Sequence, residues 1–222
     1  MSDIKLGSLN INGARGDAKR ASLFTLLGNK SLNVTFLQET HSTAENESDW
    51  RREWGGEGFF SHKRSNSGGV AILFARGFTP FSCTVDEVIP GHLLKINAEF
   101  EKVKICFINI YAPSVGAERL LFFEKLKHTL STCDNGEYLF LGGDFNCTEN
   151  PVLDRNHQEP HAASKSALIR LTETFELCDV WRHFHPGQRQ YTWVHSRDNL
   201  LSLARLDRVY VFNHHINCVL AL

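Results

Sequence analysis

Two stretches of this chain are apolar almost throughout, and they limit the folds open to it. They are Gly68–Ala75 (GGVAILFA) and Tyr138–Phe145 (YLFLGGDF), each short enough to be a single strand. Strands without a polar face are buried on both sides, so each must be covered twice. Two sheets packed face to face, with helices outside them, would supply that cover. We therefore expect a mixed α/β (α+β) fold.

The remaining pattern predicts further strands and four helices. Apolar residues near helical spacing predict helices over Asp17–Lys30, Glu45–Trp54, Glu118–Ser131 and Ala163–Leu177, the first with Asp17 as its candidate N-cap. Apolar or partly alternating runs predict strands over Asp3–Asn12, Asn33–Glu39, His92–Phe100, Lys102–Pro113 and Ser202–Phe212. No repeat or long linker interrupts this pattern, so we expect a single domain over residues 1–222.

Charge and cysteine usage narrow the class of protein. The formal net charge of −1 gives no overall attraction to nucleic acid, although a local basic rim remains compatible with an enzyme that acts on it. The six cysteines contain no CxxC pair, which disfavours a zinc site. Their scatter and the lack of a signal peptide predict an intracellular location. No apolar run is long enough to predict a membrane span.

Polar side chains recur where the predicted strands end. They are Asn10 and Asn12, Gln38 and Glu39, Asn109 and Tyr111, and Asp144 and Asn146, with Arg205, Asp207 and Arg208 in the last strand. A polar group at a strand end reaches solvent from a rigid element, which suits a functional site. Their recurrence together favours such a site over chance.

Each of these residues also has a purely structural alternative when taken alone. Asn10 or Asn12 would cap a turn, Glu39 would mark where a strand meets water, and Asp144 with Asn146 would form an Asx turn. Asp207 between two arginines would form a surface ion pair worth about 0–1 kcal/mol. These alternatives remain open at the level of sequence.

The chemistry of the set suits one reaction class. Mg²⁺ prefers one or two carboxylates, several waters and a substrate phosphate, and Glu39 and Asn10 offer a carboxylate and an amide oxygen. Asp144 with Asn146 would orient and deprotonate a water, and Tyr111 would donate to a phosphate oxygen. The combination predicts metal-assisted hydrolysis of a phosphodiester.

Six short motifs then occur in a fixed order along the chain. They are LNING (Leu9–Gly13), LQETH (Leu37–His41), NIYAP (Asn109–Pro113), GGDFN (Gly142–Asn146), YTW (Tyr191–Trp193) and RLDRVYV (Arg205–Val211). They resemble the exonuclease–endonuclease–phosphatase superfamily, which includes apurinic endonucleases and deoxyribonucleases, and most closely the endonuclease domain of LINE-type (non-LTR) retrotransposons. The resemblance covers essentially the whole chain. It implies a four-layer sandwich of two packed mixed β-sheets flanked by helices.

The resemblance also implies roles for matching residues. Asn10 and Glu39 would lie at the metal site, with Glu39 the main ligand of Mg²⁺, for which Mn²⁺ could substitute. Asn12 matches a more variable position beside the metal, and Tyr111 would contact the scissile phosphate.

The later motifs would complete the catalytic set. Asp144 would activate the attacking water, and Asn146 would position that water and the phosphate. Thr192 would lie on the DNA-contact surface, and Asp207 would orient a catalytic histidine.

One family motif is absent from these residues. The histidine belongs to a terminal SDH motif, which does not occur here, and only fifteen residues follow Asp207. His214 and His215 follow too soon and lack the Ser-Asp lead, so we expect them in a loop or at a strand edge. We expect a chain truncated at its C-terminus, without its last strands and impaired in activity. Losing one such group commonly costs about 10²–10⁴-fold in rate.

Duplex DNA would be contacted by local basic groups. The candidates are Arg15, Lys19, Arg20, Lys63, Arg64, Arg155, His157, Arg182, His183, His185, Arg189 and Arg197, and for most of them a solvated surface charge is the simpler explanation. The substrate-binding set that we predict comprises Asn12, Arg15, Arg155, Arg189 and Thr192.

The resemblance implies a Mg²⁺-dependent endonuclease that nicks one strand of duplex DNA. The 3′-hydroxyl produced would prime reverse transcription, so a reverse transcriptase would follow in the native polypeptide. The protein would be made in the cytoplasm and act in the nucleus. The isolated domain would be a monomer and would have no membrane partner. The alternatives are a phosphatase of small phosphorylated substrates and a fragment that binds DNA without cutting it.

Overall fold

The computed structural model describes residues 3–101, 103–134, 136–197 and 200–220. Lys102, at the start of a predicted strand, lies outside these residues. The chain divides into two compact units. Unit 1 comprises Met1–Tyr111 and Leu141–Gly143, and unit 2 comprises Ala112–Phe140 and Asp144–Leu222.

Unit 1 carries most of the strands. Its elements are β1 (Leu6–Asn10), α1 (Asp17–Lys30), β2 (Val34–Gln38), α2 (Glu47–Trp54), β3 (Glu57–Ser61), β4 (Val70–Phe74), β5 (Ser82–Ile89), β6 (Leu93–Phe100) and β7 (Val103–Tyr111). The predicted helix over Asp17–Lys30 is confirmed at both ends.

Unit 2 holds the other helices and shorter strands. Its elements are α3 (Gly116–Leu130), the two ends of β8 (Tyr138–Asp144), α4 (Ala162–Thr174), β9 (Leu177–Asp179), α5 (Val180–Phe184), β10 (Trp193–Arg197), β11 (Leu200–Ala204), β12 (Asp207–Phe212) and a 3₁₀ helix (Asn213–Cys218). His214 and His215 lie in that 3₁₀ helix rather than in a loop or at a strand edge.

The strands form two large sheets and a hairpin. The first sheet has the order β1-β2-β4-β3, in which β1 and β2 are parallel and the other neighbours antiparallel. The second has the order β5-β6-β7-β8-β12-β9, and β10 pairs with β11. The predicted class, mixed α/β with two large mixed sheets flanked by helices, is confirmed.

The core of unit 1 explains why its central strands lack a polar face. Phe36 of β2 and Phe74 of β4 both pack edge-on against Phe107 of β7, at ring distances of 6.4 and 5.5 Å. The opposite face of the first sheet is covered by α1 and α2, whose Leu27 and Trp50 join its core. Two faces are therefore buried, as the apolar runs predict.

One predicted strand and one predicted helix cap differ from the structure. The strand expected over Ser202–Phe212 is two strands, because Arg205 leaves the ladder and donates its backbone N–H to Asp154 O at 2.8 Å. Asp17 is not the N-cap of α1: Gly16 occupies that position, and the Asp17 carboxylate instead accepts from Arg20 at 2.8 Å. Among the described helices, none is both long and apolar enough to cross a membrane.

Candidate functional site

The ends of β1 and β2 bring Asn10 and Glu39 together. The two strands run parallel with Asn10 opposite Gln38, so the residue after β2 lies beside the end of β1. Asn10 Nδ2 donates to Glu39 Oε1 at 3.0 Å, and Asn10 Oδ1 accepts from Asn12 N at 3.1 Å. Both ends of the Asn10 amide are thus engaged, which orients the Glu39 carboxylate.

The backbone around this pair is unusual. Asn12, Glu39 and His41 all lie in the left-handed region, with φ of 45°, 51° and 54°. Non-glycine residues rarely adopt this conformation, and such strain tends to accumulate at functional sites. Backbone hydrogen bonds hold these segments in place; for example, Gly13 N donates to Glu39 O at 2.6 Å, and Thr40 N donates to Gly69 O at 3.1 Å.

His41 is a member of this cluster that sequence reasoning missed. Its Nε2 lies 3.7 Å from Glu39 Oε2, and its side chain is 16% exposed. Gly13, with φ of 77°, leaves room for the imidazole, since a Cβ there would collide with His41 Nδ1. The only signal for His41 was its place at the end of the LQETH motif.

Gln38 and Asn109 have a structural role instead of a place in the site. Both are fully buried, although each ends a predicted strand. Asn109 Nδ2 donates to Leu37 O and Ala71 O at 2.9 and 2.8 Å, and Asn109 Oδ1 accepts from Gln38 Nε2 at 2.7 Å. The amides thus tie β7 to β2 and β4 inside unit 1.

Tyr111, the last residue of β7, is half-buried in unit 1. Its ring stacks nearly parallel on the ring of His92, with centroids 5.5 Å apart and planes inclined by 7°. Tyr111 N donates to His92 O at 2.8 Å. The tyrosine is therefore anchored by a residue that the motifs did not single out.

In unit 2, Asp144 and Asn146 form the Asx turn that the sequence left open as an alternative. Asp144 Oδ1 accepts from Asn146 N at 2.8 Å, and Asn146 Nδ2 donates to Ala112 O at 2.8 Å. The strand ends at Asp144 and Asn146 has φ of 47°, so strand alternation does not determine where the two side chains point. Phe145 is fully buried, as predicted.

Gly143 shows why a glycine precedes that turn. It belongs to unit 1 and has φ of 128°, and any Cβ there would collide with Ile110 O. Only glycine permits this backbone approach.

Thr192 and Asp207 lie together in unit 2. Thr192 Oγ1 accepts from Leu206 N at 3.0 Å and from Asp207 N at 3.1 Å. Asp207 Oδ1 is buried and accepts no hydrogen bond from the residues that the structure describes. Burial raises the pKa of Asp207, against the opposing effects of its hydrogen bond with Thr192 and the charge of Arg208. A half-buried carboxylate with one covered and unsatisfied oxygen favours a role in binding or chemistry.

The arginines beside Asp207 are not its surface partners, contrary to the structural alternative considered from sequence. Both are buried and pair elsewhere: Arg205 contacts Asp154 at 2.9 Å and Asp179 at 2.6 Å, and Arg208 contacts Asp154 at 3.4 Å. Burial alone would raise the pKa of Asp154, but the charges of Arg208 and Arg205 hold it well below its usual range. This ionic network was not predicted.

Several basic residues proposed for DNA are used internally. Arg20 is 1% exposed and pairs with Asp17 and Glu53, so its assignment to a DNA surface is wrong. Arg182 contacts Asp154 at 2.6 Å, and the half-buried Arg155 lies 3.5 Å from Glu159.

Other members of the predicted substrate-binding set remain at the surface. The exposed ones are Asn12, Arg15, Arg189 and Thr192. The side chain of Arg197 lies outside the described residues.

The donor set fits a hydrated hard cation better than a closed protein cage. Across the described part of the chain, no group of three or more His, Cys, Asp or Glu side chains is arranged to hold a metal. Mg²⁺ typically keeps several waters and takes only one or two carboxylates. Glu39, with an amide beside it and a partly exposed side chain, fits that requirement.

Comparisons with known proteins identify the family of the chain. A family model described as "Endonuclease/Exonuclease/phosphatase family" matches residues 7–219. A curated relative, the "Transposon TX1 uncharacterized 149 kDa protein" of Xenopus laevis, is 38% identical over 211 residues, which cover 95% of this chain. The chain spans only 16% of the length of that relative.

Solved structures share the fold at lower identity. An AP endonuclease from Archaeoglobus fulgidus has a TM-score of 0.78 and 21% identity, covering 97% of this chain and 89% of that one. AP endonuclease LMAP from Leishmania major has a TM-score of 0.76 and 17% identity, covering 96% and 80%. With the family model matching nearly all of the sequence, the chain belongs to the endonuclease/exonuclease/phosphatase family.

Proposed function

We propose that this protein is a Mg²⁺-dependent DNA endonuclease that nicks one strand of a duplex. The observation that carries the proposal is the Asn10–Glu39 pair, an oriented carboxylate in a strained strand-end turn. The Asx turn at Asp144 presents a second carboxylate in unit 2. Family membership supports phosphoester chemistry, and the similarity to a transposon protein favours DNA as the substrate.

Glu39 and Asn10 would hold the metal in this proposal. When bound, Mg²⁺ neutralises charge on the phosphate and favours attack at phosphorus. The chain's own contribution at this point is orientation: Asn10 holds one oxygen of Glu39, and the left-handed backbone fixes where the carboxylate lies. His41 Nε2 lies 3.7 Å from the other oxygen of Glu39.

Asp144 would take a proton from the attacking water. Its carboxylate is held through Oδ1 by Asn146 N, while the Asn146 amide is held by Ala112 O. A bond forms between the water oxygen and phosphorus, and the bond from phosphorus to the 3′ oxygen breaks. The 3′ oxygen takes up a proton from solvent, which leaves a 3′-hydroxyl and a 5′-phosphate. The Tyr111 hydroxyl would donate to a phosphate oxygen.

Asp207 and Thr192 would serve orientation and contact. The buried, unsatisfied Oδ1 of Asp207 suits a carboxylate that orients a histidine, the role that the family resemblance implies. Thr192 fixes the backbone of Asp207 and lies at an exposed position suited to DNA. Arg15 and Arg189 are exposed and would contribute charge to the same partner.

We also propose a biological setting for the nick. The 3′-hydroxyl would prime reverse transcription in the nucleus, with the reverse transcriptase on the same native polypeptide. The transposon relative supports this setting, since the similarity occupies only a small part of that much longer protein. Extension of the nicked strand by a polymerase would test the chemistry of the end directly.

The decisive experiment is the nicking of supercoiled plasmid with Mg²⁺, with Mn²⁺ and with EDTA. We expect nicking with either metal, none with EDTA, and a loss of roughly 10²-fold or more in Glu39→Ala and Asp144→Ala. Glu57→Ala, an exposed glutamate in unit 1, is the matched control and should nick normally.

Two outcomes would replace the proposal with another function. Faster turnover of small phosphorylated compounds than of plasmid would identify a phosphatase. DNA binding that persists in EDTA without any nicking, in this chain and in the native full-length polypeptide, would identify a binding module.

A further inference from the structure

Three residues of unit 1 that are far apart in sequence form a continuous line of contacts. Lys63 Nζ lies 2.6 Å from His92 Nε2, and His92 Nδ1 lies 2.6 Å from Tyr111 O. A protonated lysine only donates hydrogen bonds and a carbonyl oxygen only accepts them. Nε2 is therefore the acceptor and Nδ1 carries the hydrogen, so the contacts select one neutral tautomer of His92.

His92 holds Tyr111 from three directions. Its side chain donates to Tyr111 O, its own carbonyl accepts from Tyr111 N at 2.8 Å, and its ring stacks on the tyrosine ring. Without such contacts a half-exposed tyrosine at a strand end would sample several rotamers. The imidazole therefore limits where the Tyr111 hydroxyl can point.

Two glycines leave room for the aliphatic part of the Lys63 side chain. Gly68 and Gly91 flank it, both with left-handed backbones at φ of 69° and 68°. A Cβ on Gly68 would lie 2.8 Å from Lys63 Cδ, and one on Gly91 would collide with Lys63 Cβ. Ser61 Oγ accepts from Gly91 N at 2.6 Å and fixes that turn. The lysine thus lies in a slot that side chains on either glycine would close.

We propose that Lys63 and His92 are positioning residues for Tyr111. Lys63 fixes the tautomer of His92, and His92 fixes the rotamer and strand end of Tyr111, so that the phenol is ready to meet a phosphate oxygen. This inference rests on the proposed function, in which Tyr111 contacts the scissile phosphate. It assigns to Lys63 a role other than the DNA-backbone contact that its charge alone suggests.

Steady-state nicking of a DNA duplex separates these roles. We expect His92→Phe, which keeps a stacked ring without either nitrogen, to lower kcat by roughly tenfold, the effect of one lost hydrogen bond of about 1.4 kcal/mol. His92→Asn restores a donor near the Nδ1 position and should recover part of that loss. KM should change little in either variant, because the substrate contacts themselves remain.

Lys63→Met keeps the stem and removes the ammonium. We expect a several-fold fall in kcat with the salt dependence of KM unchanged. A phosphate contact would instead raise KM and reduce its salt dependence. Lys104→Met, an exposed lysine of β7 remote from Tyr111 along the strand, is the matched control and should match the parent protein.

A double-mutant cycle tests whether His92 acts through the phenol. In the Tyr111→Phe background, His92→Phe should cause no further loss of kcat, because the group that it positions is already gone. Additive losses would overturn the proposal. Thermal unfolding of each variant, measured alongside, separates misfolding from mispositioning.

Nitrogen NMR of the imidazole gives a readout that does not depend on activity. The parent protein should show His92 protonated at Nδ1 alone, and Lys63→Met should show a mixture of tautomers. Protonation at Nε2 in the parent protein would overturn the inference whatever the enzyme assay shows. Failure of the proposed function is recognised separately, by nicking that is no greater in the parent protein than in Glu39→Ala.

Discussion

Asp154 and Asp207 belong to the same unit and lie near the same arginine, yet their environments are opposite. Asp154 is fully buried and accepts from Arg182, Arg205 and Arg208. Asp207 is half-buried, with its Oδ1 covered and without a partner among the described residues. The pKa of Asp154 lies below its usual range because the arginine charges outweigh burial, and that of Asp207 lies above because burial dominates.

The difference separates a carboxylate that stabilises the fold from one that is available for function. Asp154 has exchanged water for several charged donors, so its charge is compensated in place. Asp207 lacks full compensation, a cost that a protein tends to retain only where the group has another use. The two aspartates, 53 positions apart in sequence, thus serve different purposes in one unit.

The largest expected effect is on stability, from Asp154→Asn. Removing the charge leaves three arginines without their shared partner, which should cost about 3–5 kcal/mol of unfolding free energy. Urea denaturation measures the loss. Asp49→Asn, which breaks an exposed pair with Arg52, is the control and should cost less than about 1 kcal/mol. Equal losses in the two variants would mean that the buried network stabilises the fold no more than an exposed ion pair does.

The same substitution at Asp207 should give the opposite result. Because the folded protein already disfavours its charge, Asp207→Asn should be as stable as the parent protein at pH 7, or more so. In the native full-length polypeptide, where the histidine that Asp207 would orient is expected, nicking should fall by roughly 10²–10³-fold. Stability is measured by urea denaturation and nicking by the plasmid assay. If Asp207→Asn unfolds as readily as Asp154→Asn, the contrast between the two carboxylates is lost.

The dependence of stability on pH should separate the two groups by sign. Asp154 has a lowered pKa, so its contribution is complete above the unfolded value of about 4 and is lost as pH falls below it. Asp207 has a raised pKa, so the folded state gains stability as pH falls through its folded value toward the unfolded one.

Urea denaturation between pH 7 and pH 3 would measure both contributions. Relative to the parent protein, Asp154→Asn should lose less stability on acidification, by about 1 kcal/mol or more, and Asp207→Asn should lose more. Parallel curves for all three proteins would contradict the assigned directions of the two pKa values.

A smaller loss of stability than that of Asp154→Asn is expected for Thr192→Val. The substitution keeps the shape but removes the acceptor of Leu206 N and Asp207 N, which should cost about 1–2 kcal/mol. It should also raise the pKa of Asp207 further, because the threonine hydrogen bond lowers it. Thr25→Val on the exposed face of α1 is the control, and Thr192→Ser should retain most of the stability. An unchanged stability of Thr192→Val would show that water replaces the hydroxyl as the hydrogen-bond acceptor.

The local sequence pattern was sufficient to predict several secondary-structure elements, and the motifs were sufficient to predict part of the candidate site. The bounds of α1 follow from helical spacing, and the burial of β4 follows from an uninterrupted apolar run. The burial of Phe145 also agrees with the apolar run that ends in it. These properties depend on neighbours within a few residues, whereas the proximity of Asn10 and Glu39, 29 residues apart, was expected from the family motifs.

The local sequence pattern did not predict the contacts in which a polar group pairs with a residue of a distant segment. Arg205 and Asp154 are 51 residues apart, Gln38 and Asn109 are 71 apart, and Lys63 and His92 are 29 apart. The bond from Asn146 Nδ2 to Ala112 O likewise joins residues 34 apart, whereas the Asx turn with Asp144 is local and was an open alternative in the sequence. No local signal in the sequence specifies the distant partners.

The amino-acid sequence by itself determined the class of fold, the family motifs and which residue types stand at the strand ends, because hydrophobic period and motif order are local properties of the chain. Only the tertiary structure decided which carboxylate is neutralised, which keeps an unsatisfied oxygen, and which histidine holds Tyr111. The physical reason is that the state of a polar group depends on its burial and its partners, and both arise only when distant segments pack together.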